Sequence, residues 1–163
     1  MMRTAPKNIS PLVLEKMLSR QILSQSDDLI DCFMELIQET YEPSVKSMSI
    51  SAHSPVDSDA GGPCFYRYLE GPDKLITNRK SGNFAGDARE LNFQFGELTY
   101  VEGDEFRDVG YADILGQIIS DWTYDCWLKA GGWFFEIPTM LTIYTDPGYG
   151  TDRKLTKLKV PSK

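Results

Sequence analysis

The sequence predicts an α+β fold: an N-terminal helical segment or helix pair, then a mainly antiparallel sheet of about 5–6 strands with one long amphipathic helix, about 111–130, packed on it. Three observations support this class. Apolar residues recur every three or four positions before Pro43, they alternate with polar residues in the middle and near the end, and a helical stripe returns after residue 110. A length of 163 residues fits one domain, which we place at 8–160, with 1–7 and 161–163 as flexible ends.

The first elements are predicted to be helical. Ser10 and Pro11 match an N-cap followed by the first helical position, and apolar residues continue at helical spacing to Ile22. A second start at Ser26 or Asp27 precedes another amphipathic stretch, which ends before Pro43. The pattern leaves open whether these are two helices or one kinked rod.

The strands are predicted from alternation and from turn residues. Met48, Ile50 and Ala52 alternate with serines, and the polar stretch 53–63 is a loop by composition. Further strands are expected in "CFYRYLEG" and "KLITNRKSG", joined by a turn at Gly71-Pro72-Asp73, and in 90–103, "WFFEIP" and "TMLTIYTD". The basic tail, 153–163, is expected to add an edge strand or to fray, and in either case to lie beside the protein's own acidic surface or be disordered.

Composition excludes several classes of function. A net charge of −7 disfavours nucleic acid as a partner and favours encounter with a basic protein. No stretch approaches the roughly 20 apolar residues of a membrane span, so no membrane association is expected. Three cysteines without metal-like spacing indicate free thiols, and with no secretory leader visible we expect a cytoplasmic protein.

The predicted helix at 111–130 has two distinct sides. Leu115, Ile118, Ile119, Trp122 and Cys126 form one apolar stripe, which we assign to the core, with Cys126 as a buried and inert thiol. The other side carries the candidate partner-binding residues, which combine acidic and aromatic side chains: Asp113, Gln117, Asp121, Tyr124, Asp125 and Trp127. Either another element such as the helix pair covers this side, or it is open and Trp127 anchors a protein contact.

No catalytic, metal or cofactor motif is present. "DPGYGTDRK", 146–154, lacks the Walker Gly-Lys-Ser/Thr and is interpreted as a turn. A single histidine and dispersed cysteines disfavour a transition-metal site. Carboxylates such as Asp104, Asp108, Asp121 and Asp125 leave a hydrolase-type enzyme with an acidic cleft as the alternative function.

The sequence therefore predicts a small acidic binding protein, without cofactor, that occupies or neutralises a basic protein partner such as a toxin. Bacterial immunity proteins represent this class, and the analogy rests on size, charge and the missing catalytic signature. The identity of the partner and the oligomeric state are not determined by the sequence.

Overall fold

The computed structural model describes residues 10–53, 64–72, 82–91, 93, 111–145 and 149–160, and within them it confirms the α+β class. Three α-helices, one short 3₁₀ helix and five strands are present in these residues. In chain order they are α1 (Pro11–Leu23), α2 (Ser26–Gln38), β1 (Ser47–His53), β2 (Cys64–Glu70), β3 (Ala88–Glu90), α3 (Tyr111–Lys129), the 3₁₀ helix (Gly132–Phe134), β4 (Thr139–Thr145) and β5 (Tyr149–Lys154).

The two N-terminal helices are separate. The Ser10 side chain accepts a hydrogen bond from the Val13 amide at 3.2 Å, which confirms the predicted N-cap of α1. The Ser26 hydroxyl donates to the Leu23 carbonyl at 2.8 Å across the short turn between the helices. The two helices are therefore distinct elements, separated by a turn at Ser24 and Gln25.

The five strands form one mixed sheet in the order β3-β2-β1-β4-β5. β1 and β4 are parallel, while the other three pairings are antiparallel, so the expected mainly antiparallel sheet is confirmed. Parallel neighbours need a crossover connection, and α3 lies in the chain between β1 and β4 and packs on β4. The basic tail forms the edge strand β5 up to Lys154.

The core lies between the sheet and the helices. Alternate residues of the central strands, such as Ile50 and Leu141, point to the same side and are fully buried. From α3 the Leu115, Ile119 and Trp122 side chains pack into the same core, while α1 and α2 also contact α3. The predicted apolar stripe of this helix is therefore confirmed at these three positions and at the buried Cys126, whereas Ile118 is half-buried.

A charged residue, Arg67, lies inside this core. Arg67 is opposite Ile50 in the β1–β2 register, and its side chain is 0% exposed. Its guanidinium donates to Glu39 Oε2 at 2.5 Å, to the Tyr41 hydroxyl at 3.1 Å and to Asn83 Oδ1 at 3.0 Å. A buried charge is tolerated only when it is paired and hydrogen-bonded, and this network ties the end of α2 to the sheet.

The segment after α3 differs from the prediction. Gly131 has φ +87°, the left-handed conformation that commonly ends a helix and that glycine adopts without strain. Trp133 and Phe134, however, belong to the 3₁₀ helix rather than to a strand. The Phe135 amide donates to the Gly132 carbonyl at 3.0 Å, so these backbone groups bond locally and are not available to a sheet.

Several predicted segments fall outside the described residues. These are the loop at 54–63, most of the strand expected at 74–82, nearly all of 92–110, and 146–148 of the glycine-containing turn. Asp104 and Asp108 of the alternative enzyme hypothesis are among them.

Candidate functional site

An open groove of about 400 Å³ runs between α1 and α3. Its polar rim comes from both helices: Glu15, Ser19, Asp113, Gln117, Asp121 and Asp125. Its apolar floor is formed by Leu23, Ile114, Ile118 and Trp122. The groove therefore combines apolar surface with four carboxylates, and no lysine or arginine among the described residues lines it.

Four of the six predicted partner-binding residues line this groove, namely Asp113, Gln117, Asp121 and Asp125. They come together because they are spaced four residues apart along α3, which places them in one row on the helix surface. Asp113, Gln117, Asp121 and Asp125 are also exposed to solvent. Helical periodicity alone was sufficient to group them.

Asp121 is already engaged by the protein's own edge strand. Arg153 Nη1 lies 2.7 Å from Asp121 Oδ1, and the Gln117 amide donates to the same oxygen at 3.1 Å. The Arg153 guanidinium also lies over the Tyr124 ring, 3.9 Å from its centroid, and Tyr124 is half-buried. Arg153 thus lies beside the acidic surface, as predicted for the tail. Asp121 and Tyr124, which we expected to contact a partner, instead contact Arg153 of the same chain.

Trp127 is the clear correction among the predicted site residues. Its side chain is 0% exposed, and its ring packs edge-to-face on Phe33 at 5.2 Å and on Phe135 at 6.0 Å between ring centroids. α2 and the segment after α3 cover this side of the helix, so Trp127 cannot anchor a partner on the folded protein. Of the two explanations left open, the covered one is correct for this residue.

Sequence reasoning missed the contribution of α1. Glu15, Ser19 and Leu23 complete the groove, and Leu23 is 59% exposed. Leu12 and Val13 are also exposed on the same helix. The available signal was the excess of apolar residues in α1, which has more of them than one buried stripe accommodates.

Cys126 lacks the environment of a nucleophile. It is 1% exposed, and burial raises the pKa of its thiol to about 11. The single histidine, His53, ends β1 opposite Cys64 and stacks on Tyr144 with ring centroids 4.8 Å apart. A thiol that remains protonated at neutral pH is a poor nucleophile, which supports the structural interpretation of Cys126.

Among the described residues, no group of three or more His, Cys, Asp or Glu side chains is arranged to hold a metal ion. Among the helices in that part of the chain, none combines the length and the apolar character needed to cross a membrane.

Comparison with known proteins adds no relative, because no protein-family model, no curated protein and no solved structure matches this chain.

Proposed function

We propose that this chain is a small acidic binding protein that holds a basic protein partner in the groove between α1 and α3. The observation that carries the proposal is the combination of an apolar floor with a carboxylate rim in one open groove between two helices. Grooves of this kind bind amphipathic helices, whose apolar side enters the groove. The negative rim selects partners whose polar side is basic.

The contacts expected from such a partner follow from the lining. Ile114 and Ile118 are half-buried and would receive apolar side chains, together with the exposed Leu23. Glu15, Asp113 and Asp125 have no ion-pair partner among the described residues, so they are the carboxylates available to lysine or arginine. Leu12 and Val13, exposed on α1, would extend the apolar contact beyond the groove.

A toxic effector is the partner class suggested by analogy with bacterial immunity proteins. The support for it is the acidic charge of −7 in a chain of 163 residues and the acid-rimmed groove. An acidic protein associates quickly with a basic partner because long-range attraction steers the encounter.

The test uses a designed helical peptide with leucine and lysine at helical spacing as the probe. Binding would be followed by amide chemical shifts and by calorimetry, with the same peptide carrying glutamate in place of lysine as the control. We expect the lysine peptide to shift residues of α1 and α3 and to bind more weakly as salt is added.

Matched variants identify the surface that binds. Asp113→Asn combined with Asp125→Asn should weaken the lysine peptide by about tenfold, or about 1.4 kcal/mol. Asp28→Asn combined with Asp31→Asn removes the same charge from exposed positions of α2 outside the groove and should change little. Equal weakening by both pairs, or shifts confined to other surfaces, would refute the proposal.

A further inference from the structure

A second cavity, of about 560 Å³, lies where the chain leaves α2 and passes the turn after α3. It shares no lining residue with the groove between α1 and α3. Its wall is mixed in character, and the apolar part comes from Ile37, Tyr41, Val45, Phe134, Phe135 and Ile137. Its volume lies in the range of about 300–1,000 Å³ that is typical of small-molecule sites.

Three carboxylates border this cavity, and they differ in how they are paired. Glu39 is bonded to the buried Arg67 and to the Asn83 amide, so its charge is balanced inside the protein. Glu42 and Glu136 have no ion-pair partner among the described residues. The rim therefore carries two uncompensated negative charges beside an apolar wall.

The wall is held in place by its surroundings. Glu39 and Tyr41 are bonded to Arg67, and the Tyr41 hydroxyl also donates to the Leu36 carbonyl at 2.6 Å. Burial raises the pKa of Tyr41 to about 12, so this donor persists at neutral pH.

Phe134 stands at the open side and is 75% exposed, although it belongs to a turn that is fixed by backbone hydrogen bonds. The Lys157 amide donates to the Trp133 carbonyl at 2.7 Å next to it. An aromatic ring that is largely exposed to water is an apolar anchor available to a ligand.

We propose that this cavity binds a linear alkyl diamine or polyamine. Its methylene chain would lie on Ile37, Val45 and Phe134, and its two terminal ammonium groups would meet Glu42 and Glu136. Two unpaired carboxylates match two ammonium groups in number, and the apolar wall favours an alkyl chain over a hydrated metal ion. An anionic ligand would meet like charge at the rim and is disfavoured.

The test is calorimetric titration of the whole chain with cadaverine, which has an ammonium group at each end of an alkyl chain. Glu42→Gln and Glu136→Gln should each weaken binding by roughly tenfold, as expected for loss of one carboxylate–ammonium contact near the surface. Phe134→Ala should weaken it as well, while Asp125→Asn, which removes the same charge from the other groove, should not. Lys157 Nζ lies 5.8 Å from the Phe134 ring centroid, so Lys157→Gln should strengthen binding by removing a competing cation.

Three results would overturn the proposal: no heat of binding at millimolar cadaverine, equal weakening by Asp125→Asn, or displacement of cadaverine by an equal concentration of Mg²⁺. Either of the last two results would mean that cadaverine is attracted only by the overall negative charge of the protein. Asp125→Asn enters only as the control, and binding of cadaverine is assigned through Glu42, Glu136 and Phe134, none of which lines the groove between α1 and α3. This proposal and the one for a basic protein partner therefore succeed or fail independently.

Discussion

Residues that the helical pattern places on one side of α3 have different surroundings. Asp113, Gln117, Asp121 and Asp125 form a row that lies open beside α1. Trp127, in contrast, is enclosed between Phe33 of α2 and Phe135 beyond the 3₁₀ helix. The difference shows that the position of a residue on a helix tells which neighbours it has along the helix, whereas the packing of other elements decides whether it reaches solvent.

The enclosure of Trp127 gives the prediction with the greatest effect on stability. Trp127→Ala should lower the free energy of unfolding by about 3–5 kcal/mol, because it leaves a large cavity between Phe33 and Phe135. The measurement is denaturant-induced unfolding followed by circular dichroism. Leu128→Ala, at the next position of the same helix and 37% exposed, is the control and should cost less than about 1 kcal/mol. Similar losses for the two variants would mean that Trp127 is not enclosed as described.

A smaller effect is expected at the two glycines that follow α3. An added Cβ at Gly132 would overlap the Trp127 indole, whereas at Gly131 it would meet no atom within 4 Å. Gly132→Ala should therefore cost about 1–3 kcal/mol by overpacking, and Gly131→Ala about 1–2 kcal/mol because φ is +87°.

Double-mutant cycles with Trp127→Phe distinguish overpacking at Gly132 from backbone strain at Gly131. The cost of Gly132→Ala should fall when Trp127 is replaced by Phe, since the smaller ring leaves room, while the cost of Gly131→Ala should simply add. Independent addition at both glycines would contradict close packing of Gly132 on the indole.

Arg153→Ala should affect stability by less than about 1 kcal/mol, because the Arg153–Asp121 pair is partly exposed. Its effect on binding in the groove should be larger, because Asp121 and Tyr124 lose their contacts with Arg153 and the rim of the groove becomes more negative. We expect the lysine peptide to bind more tightly to this variant, mainly at low salt. Lys154→Ala removes the neighbouring charge and should change peptide binding less; the reverse order would show that Arg153 does not screen the groove.

Chemical modification of an accessible thiol should have the least effect on stability. Its rate instead compares how accessible Cys32, Cys64 and Cys126 are to the reagent. Burial raises the pKa of Cys32 and of Cys126 from 9.0 to about 11, so at pH 8 roughly one thiol in a thousand is ionised at each position. Cys64 is half-buried at the start of β2 and should react first with a colorimetric thiol reagent. The variant Cys64→Ser should lack this first reaction.

The raised pKa values of Cys32 and Cys126 also make the stability of the protein depend on pH in the alkaline range. The unfolded thiols ionise near pH 9 while the buried ones do not, so the free energy of unfolding should fall as the pH rises from 9.0 toward about 11. Rapid native-state reaction of Cys126 would contradict the assignment of this thiol to the core.

The local elements and much of one surface follow from the order of residues along the chain. The Ser10 cap, the end of α3 at Gly131 and the alternation in β1 and β4 depend on interactions between residues close in the chain, which is why they could be predicted. The acidic row on α3 follows from the same periodicity. The inward position of Arg67 was also readable, because it alternates with Phe65 and Leu69 in β2.

Which of these surfaces stay open depends on contacts between distant parts of the chain. The parallel pairing of β1 with β4, the Glu39 and Asn83 partners of Arg67 and the enclosure of Trp127 by α2 join residues that are far apart in the sequence. The acidic row becomes the rim of a groove because α1 packs beside α3, and the second cavity exists because the end of α2 meets the turn after α3. Such contacts depend on the relative placement of whole elements, which periodicity along a single helix or strand does not specify.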